Sequence, residues 1–588
     1  MSDKFSLDPF VSDELYPGYQ PGFKHGAFNV DPLQTFQAVD ADRFWLKEGH
    51  WPLGIVPLGY TCIEDCLWGT QWAAQSLPVP TGKGLSCRMA GTHVYNSEIA
   101  VTSEWEIARR SAMAALSFPA RIAGFREEWE RCVALLLDGS HHLEQVDLSG
   151  AGLEEIARYF AEACDFQRWA WEQHFLFMYP LLANYFGLRG LCEQLGVDTD
   201  LVARFLQGFD TKIIETDRHL WDLAEQARSD GLDALFAHNV DDEGLLLKAL
   251  EADDAAANWL VRFRGFLQEY GWRTEGIADL DLAPWIEDPA PPLRMIRSFI
   301  VGEPHDFTGT QAAVVEDREA AIVQARSTLT AAEQTDFDAA LAACHHANFA
   351  WWNEEHDFYI DLRVHIPLRR AALALGRVVG ADSFDDCVYL FRSEFEDVVE
   401  GRRPYSDFRA AIPQRREHRL RWAAMRTELP TMLGSIPDSV NDPVMKEIFG
   451  IDGRFLELMR SDTSEITELR GVPASGGTYT GIARVLTHAG QIGTLERGDV
   501  LVCEFTSPNW TPAFTLIGAC VADYGGALAH TAIVSREYRV PCVTGVGIGT
   551  TSIRDGDTVE VDGTLGRVRI VRRADAGSES EGAAALNA

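Results

Sequence analysis

Residues 523–541, DYGGALAHTAIVSREYRVP, decide how the C-terminal part of the chain folds. The β-branched and apolar run 519-ACVADY-524 leads in as a strand. Gly525 and Gly526 then permit a sharp turn and close backbone approach. A helix follows over 529–538 with His530 in its first turn, and it stops before Pro541. Ala532, Ile533 and Val534 offer a face to bury, whereas Arg536 and Glu537 are expected in solvent. The start of a helix carries unpaired N–H groups and partial positive charge, which would stabilise a phosphoryl group on the ring of His530. The same field disfavours imidazolium and keeps the ring a neutral nucleophile. Gly525, Gly526 and Thr531 are the expected phosphate-binding residues beside it.

Further strands are predicted at 481–488, 500–505, 540–546, 558–563 and 567–571, each bounded by glycines. Together they describe a small mixed β/α domain at 472–572, with a disordered tail at 573–588. The polar segment 461–471, SDTSEITELRG, reads as a hinge linker. Before residue 460 helical periodicity dominates. Leu153, Ile156, Phe160, Ala163 and Cys164 form one apolar stripe, and 166–187 reads as a buried helix broken near Pro180. Helices are also expected over roughly 197–235, 243–270, 311–347, 367–380 and 407–428. Residues 1–100, with Trp45, Trp51, Trp68 and Trp72 among glycines and prolines, read as irregular structure wrapped on the helical core. The fold class is therefore multidomain: a large mainly α-helical domain at 1–460, then a small mixed β/α domain.

A chain of 588 residues accommodates such a division. Its 88 acidic against 52 basic residues give a net charge of −36, which argues against nucleic acid or an anionic membrane as partner. No apolar run of about 20 residues suggests a membrane span, and the acidic, proline-interrupted start has no leader pattern, so a cytoplasmic protein is expected. The 11 cysteines contain no CxxC pair; Cys62 and Cys66 share a helix face and read as reduced thiols, and no metal site is assigned.

The 523–541 segment resembles the phosphohistidine signature of the PEP-utilising dikinases, the family of PEP synthase, pyruvate phosphate dikinase and rifampin phosphotransferase. The shared pattern is Gly525, Gly526, His530, Ala532, Ile533, Val534, Arg536, Glu537 and Pro541. The likeness extends to 471-GVPASGGTYTGIARVL-486, 506-TSPNWTPAF-514 and 555-DGDTVEVDGTLGRV-568. Arg539 departs from it, standing where the family usually has glycine. The segments 266-FLQEYGWRTEGIADLDLAPWIEDP-289 and 353-NEEHDFYIDLRVHIPLRRAALALG-376 resemble the family's acceptor-side helical domain.

The resemblance implies that 472–572 is a swivelling phosphohistidine domain and 1–460 an acceptor-binding domain. No GxxxxGK[ST] phosphate loop is found, and no ATP-grasp region is read in the chain. The chain in this respect resembles the large subunit of two-component phenylphosphate synthase or of hydroxyaryl-ketone dikinases. ATP and Mg²⁺ are then expected on a separate ATP-grasp subunit, and the acceptor is a phenol. An antibiotic or other alcohol, or a phosphocarrier with no small acceptor, are the alternatives.

Transfer to a hydroxyl needs a base and cations. Residues 353–370 offer Glu354, Glu355, His356, Asp357 and Asp361 with Arg363, Arg369 and Arg370. On an ordinary helix His356 and Ile360 share a face. His356, Arg369 and Arg370 are the candidate catalytic groups. Arg273, Glu275, Glu355 and Asp357 are the candidate substrate-binding groups.

Overall fold

Alternating apolar residues build the small domain. In the computed structural model, which describes residues 4–5, 16–18, 36–238, 243–301, 306–461 and 466–574, they face one core. Val500 and Val502, Ala519 and Val521, Val559 and Val561, and Val568 and Ile570 lie every second residue along four strands and meet in it. The chain separates into two compact units, Ser2–Ser435 and Ile436–Ala588.

The C-terminal unit holds a mixed sheet of β6 (Glu468–Arg470), β7 (Val472–Ser475), β8 (Thr478–Val485), β9 (Val500–Cys503), β10 (Ala519–Ala522), β11 (Cys542–Thr544), β12 (Thr558–Asp562) and β13 (Arg567–Arg572), in the order β6-β13-β12-β8-β9-β10-β11-β7. Strands β8 to β11 run parallel. Parallel strands are covered on both faces, so Leu501, Cys503 and Cys520 are buried as deeply as the valines between them. The helix His530–Glu537 makes the crossover from β10 to β11.

The unit begins at Ile436, earlier than the expected boundary at 460. The reason is the glycine pair. A short helix, Pro443–Glu447, and the loop after it lie directly on the turn at 525–526. A Cβ on Gly526 would stand 2.3 Å from the Glu447 carbonyl oxygen, and Gly525 has φ +123°. The expected linker also carries structure, because β6 pairs with β13 inside it. Residues 462–465 of that linker lie outside the described residues, as does the expected tail from 575 on.

Arg539 follows the His530 helix with φ +55°. That left-handed backbone explains why glycine suits the position, since a side chain there costs about 1 kcal/mol. Its side chain is exposed. Arg539→Gly is therefore expected to raise stability by about 0.5–1 kcal/mol, read as a shifted urea midpoint with unchanged slope.

The N-terminal unit is mainly helical. The helix Leu153–Gln194 runs unbroken through Pro180, correcting the expected break there. Residues 104–145, for which no helix was predicted, form two long ones, Glu104–Ala123 and Phe125–Gln145. The expectation of irregular structure up to residue 100 is also corrected. The helix Tyr60–Ser76 and the antiparallel strands β2 (Phe44–Lys47), β3 (Gly82–Ala90) and β4 (His93–Ala100) occupy that region. With β1 (Lys4–Phe5) and β5 (Met432–Ser435) they form a sheet ordered β1-β5-β2-β4-β3. Residues 6–15 and 19–35 lie outside the described residues. Among the described residues no helix is long and apolar enough to cross a membrane.

Candidate phosphotransfer site

His530 is the first residue of its helix, preceded by Ala529 in extended conformation. Its ring is 5 % exposed. The Gly525 N–H donates to the Phe449 carbonyl at 2.9 Å and the Gly526 N–H to that of Ile448 at 3.3 Å. The glycine amides thus hold the turn in place, which corrects the expectation that they face a phosphate. Thr531 Oγ1 bonds Thr506 Oγ1 at 2.7 Å and accepts the Thr506 N–H at 3.3 Å, so it too is a strut for the first helical turn. Arg536 and Glu537 are buried rather than solvated. Arg536 donates to the carbonyls of Ala474 and Ala527, both at 3.0 Å, tying the helix to β7 and to the loop that carries His530.

Asp523 opens the turn. Its carboxylate accepts the N–H groups of Gly549 and Thr550 and the Thr550 hydroxyl. Burial pushes its pKa up to about 7, and Glu504 adds to the shift, against the lowering by its Thr550 and Gly549 donors. An acid raised in the folded state binds more protons folded than unfolded between its two pKa values. Its stabilising share is complete below about pH 4 and is lost as pH rises to about 7. Asp523→Asn is expected to flatten this loss, seen as a difference in urea midpoints between parent and variant across pH 4–8.

A second concentration of polar groups lies within the helical unit. Helix Phe349–His356 passes directly into a π-helical turn, Asp357–Asp361. Its bond from the Leu362 N–H to the Asp357 carbonyl spans five residues. A spiral of that width brings residues five apart onto one side, so His356 and Asp361 face each other. The His356 Nδ1 lies 3.6 Å from Asp357 Oδ1 and 3.7 Å from Asp361 Oδ1. His174, on the helix Leu153–Gln194, places Nδ1 3.2 Å from the same Asp361 oxygen, and the two imidazole centroids are 4.1 Å apart. Trp352 packs edge-on to His356 at 4.2 Å, and Trp171 stands 5.1 Å from His174.

His356 is 3 % exposed, and neither ring nitrogen has a hydrogen-bond partner. Burial, helped by the neighbouring His174, lowers its pKa to about 3, so the ring is neutral. Burial and the charges of Asp361 and Glu354 raise Asp357 well above the carboxylate range. Burial opposes the ionisation of Asp361, but His174 holds it on the charged side. Arg273 is also 3 % exposed, with its guanidinium 4.4 Å above the Trp285 ring and no partner at Nε. Burial lowers its pKa, and the charges of Asp217, Glu275, Asp357 and Glu354 work against that.

A family model described as the rifampicin phosphotransferase fourth domain matches residues 173–354, and one described as the mobile domain of PEP-utilising enzymes matches 495–566. Over these two stretches the chain is similar to enzymes of the PEP-utilising dikinase family. It is 28 % identical over 565 residues to chondramide synthase cmdD of Chondromyces crocatus, covering 92 % of this chain and 14 % of that protein. It is 28 % identical over 442 residues to the uncharacterized phosphotransferase YvkC of Bacillus subtilis, covering 73 % and 51 %. A rifampicin phosphotransferase of a Streptomyces species is 30 % identical over 389 residues, covering 64 % and 42 %. The chain thus spans about half or less of the length of these relatives.

The structure brings together His356 and Asp357 and adds His174 and Asp361, while Arg273 lies on Trp285 and feels the charge of Asp357. Of the remaining candidates Glu275 adjoins Arg273 through Trp285, and the others are held elsewhere. Arg369 donates to the carbonyls of Leu280 and Asp281 at 2.9 and 3.3 Å, and Arg370 to those of Leu143 and Val146 at 2.5 and 2.8 Å. Both guanidinium groups are thus committed to backbone, which corrects their assignment as catalytic forks. Arg363 forms a bidentate pair with Glu144 at 2.8 and 2.9 Å. Glu355 accepts the Lys212 N–H at 2.6 Å at the start of the helix Lys212–Ser229, and burial raises its pKa to about 7. Its placement is that of a tether. Glu275 accepts the Trp285 indole N–H at 3.0 Å, steadying the ring beneath Arg273. The sequence reading missed His174; a histidine inside a nearly apolar buried helix was the available signal.

Proposed function

We propose that the chain is the phosphotransfer component of a dikinase-type phosphotransferase. A ring nitrogen of His530 attacks a phosphorus of ATP, forming an N–P bond as the anhydride P–O bond breaks. An acceptor hydroxyl oxygen then attacks that phosphorus, forming a P–O ester and returning the neutral imidazole. The observation that carries this reading is His530 itself, a histidine opening a helix beside the segment's glycine turn, within the region matched by the PEP-utilising mobile domain. The aligned backbone dipoles of its helix favour the added negative charge by about 0.3–1 kcal/mol.

The acceptor belongs to the helical unit. There Arg273 offers a buried cation for the phosphoryl oxygens, and the neutral His356 ring offers the acceptor hydroxyl a hydrogen-bond acceptor. The aromatic rings of Trp352 and Trp171 beside those imidazoles favour a flat phenolic acceptor. The name of the Streptomyces relative supports a second reading, an antibiotic hydroxyl. ATP and Mg²⁺ are assigned to an ATP-grasp subunit. Mg²⁺ prefers oxygen ligands and retained waters, and the dry, imidazole-rich cluster of the helical unit does not fit it. A cytoplasmic setting and the absence of nucleic-acid and membrane partners are part of the proposal.

The test combines the full chain, a purified ATP-grasp subunit of a two-component dikinase and ATP labelled at the β- or γ-phosphate. Acid-labile label on His530 that moves to phenols is the expected result. Label moving to rifampicin instead would select the second reading. No label on the chain would overturn both.

A further inference from the structure

We propose that His174, His356 and Asp361 form a binding site for one divalent transition-metal ion of the zinc class. The ligating atoms of these three buried residues all lie within 4.8 Å of one another. Metal–nitrogen and metal–oxygen bonds of about 2.0–2.2 Å at tetrahedral angles place neighbouring ligand atoms about 3.3–3.5 Å apart. The observed separations from Asp361 Oδ1 are 3.2 Å to His174 and 3.7 Å to His356. The second of these is too long for a hydrogen bond yet suits two atoms sharing an ion.

The independent sign of a ligand is the state of His356. An imidazole enclosed in the protein with both nitrogens unpartnered forfeits about 1–3 kcal/mol for each unmet group. The π-helical turn turns this ring toward Asp361 instead of letting it find a backbone acceptor. A bound cation supplies the missing interaction and also neutralises the Asp361 carboxylate. Two imidazoles and one carboxylate select zinc, cobalt, manganese or ferrous ions over calcium or magnesium.

Three protein ligands leave one coordination position open, as catalytic sites do. An acceptor hydroxyl bound there would have its oxygen polarised and its proton more easily lost. That role rests on the function proposed above; the site itself does not, because its test reads metal and not phosphotransfer.

The full chain is treated with chelator, incubated with Zn²⁺, desalted and analysed for metal by mass spectrometry. About one equivalent per chain is expected to remain, and His356→Ala and Asp361→Asn are expected to lower it at least tenfold. Retention below a tenth of an equivalent in the parent overturns the site, as does full retention in both folded variants. Should the variants fail to fold, Cu²⁺ replaces Zn²⁺ in the parent. Electron spin-echo modulation from two imidazoles then supports the site, and its absence overturns it.

Discussion

Replacing His530 by alanine is expected to abolish acid-labile labelling of the chain and to lower formation of phosphorylated product by at least about three orders of magnitude. Removing a covalent nucleophile commonly has effects of that size or larger. Thr531 is committed to Thr506, and the amides of Gly525 and Gly526 to Phe449 and Ile448. The measurement is label on the intact protein, followed by its migration to the acceptor. His530→Gln keeps much of the ring's volume in its buried position and separates loss of the nucleophile from a packing defect. Unchanged product formation with either variant would end the phosphohistidine account.

The second large effect is expected at Arg273. Its guanidinium lies on Trp285 with an unsatisfied Nε, among Asp217, Glu275, Asp357 and Glu354. Arg273→Ala is expected to leave labelling of His530 intact while slowing transfer to the acceptor by about 10²–10³-fold, the usual loss when a charge-stabilising donor is removed from a dry site. Arg273→Lys keeps the charge but loses the planar fork, so its rate should fall between the two. Single-turnover decay of pre-labelled protein, with and without acceptor, isolates this step. Equal slowing of labelling and transfer would instead assign Arg273 a purely structural role.

The glycine pair, the helix over 529–538 and six of the eight strands of its sheet were legible in the sequence because each rests on local rules. A β-branched run, a position needing positive φ and a proline stop act within a few residues of themselves. Even the exception was local, since Arg539 bears the left-handed backbone that glycine would relieve. The helical segment at 353–376 was legible as chemistry but not as geometry. Its charged residues read alike in sequence, whereas in the structure Arg363, Arg369, Arg370 and Glu355 bind backbone or a partner carboxylate. The π-helical turn at Asp357–Asp361 shifts the helical register, so the expected pairing of His356 with Ile360 gives way to His356 with Asp361.

The sequence by itself determined the phosphohistidine candidate and the small domain around it, because an ordered run of residues encodes a strand, a turn and a helix start without help from distant parts. Only the tertiary structure decided which polar residues of the helical unit meet. His174 and Asp361 lie 187 residues apart, and what joins them is the packing of one long helix against a widened turn. Burial then decides their chemistry, since an imidazole or guanidinium out of water must find a partner, and which partners remain unfilled depends on every helix packed around it.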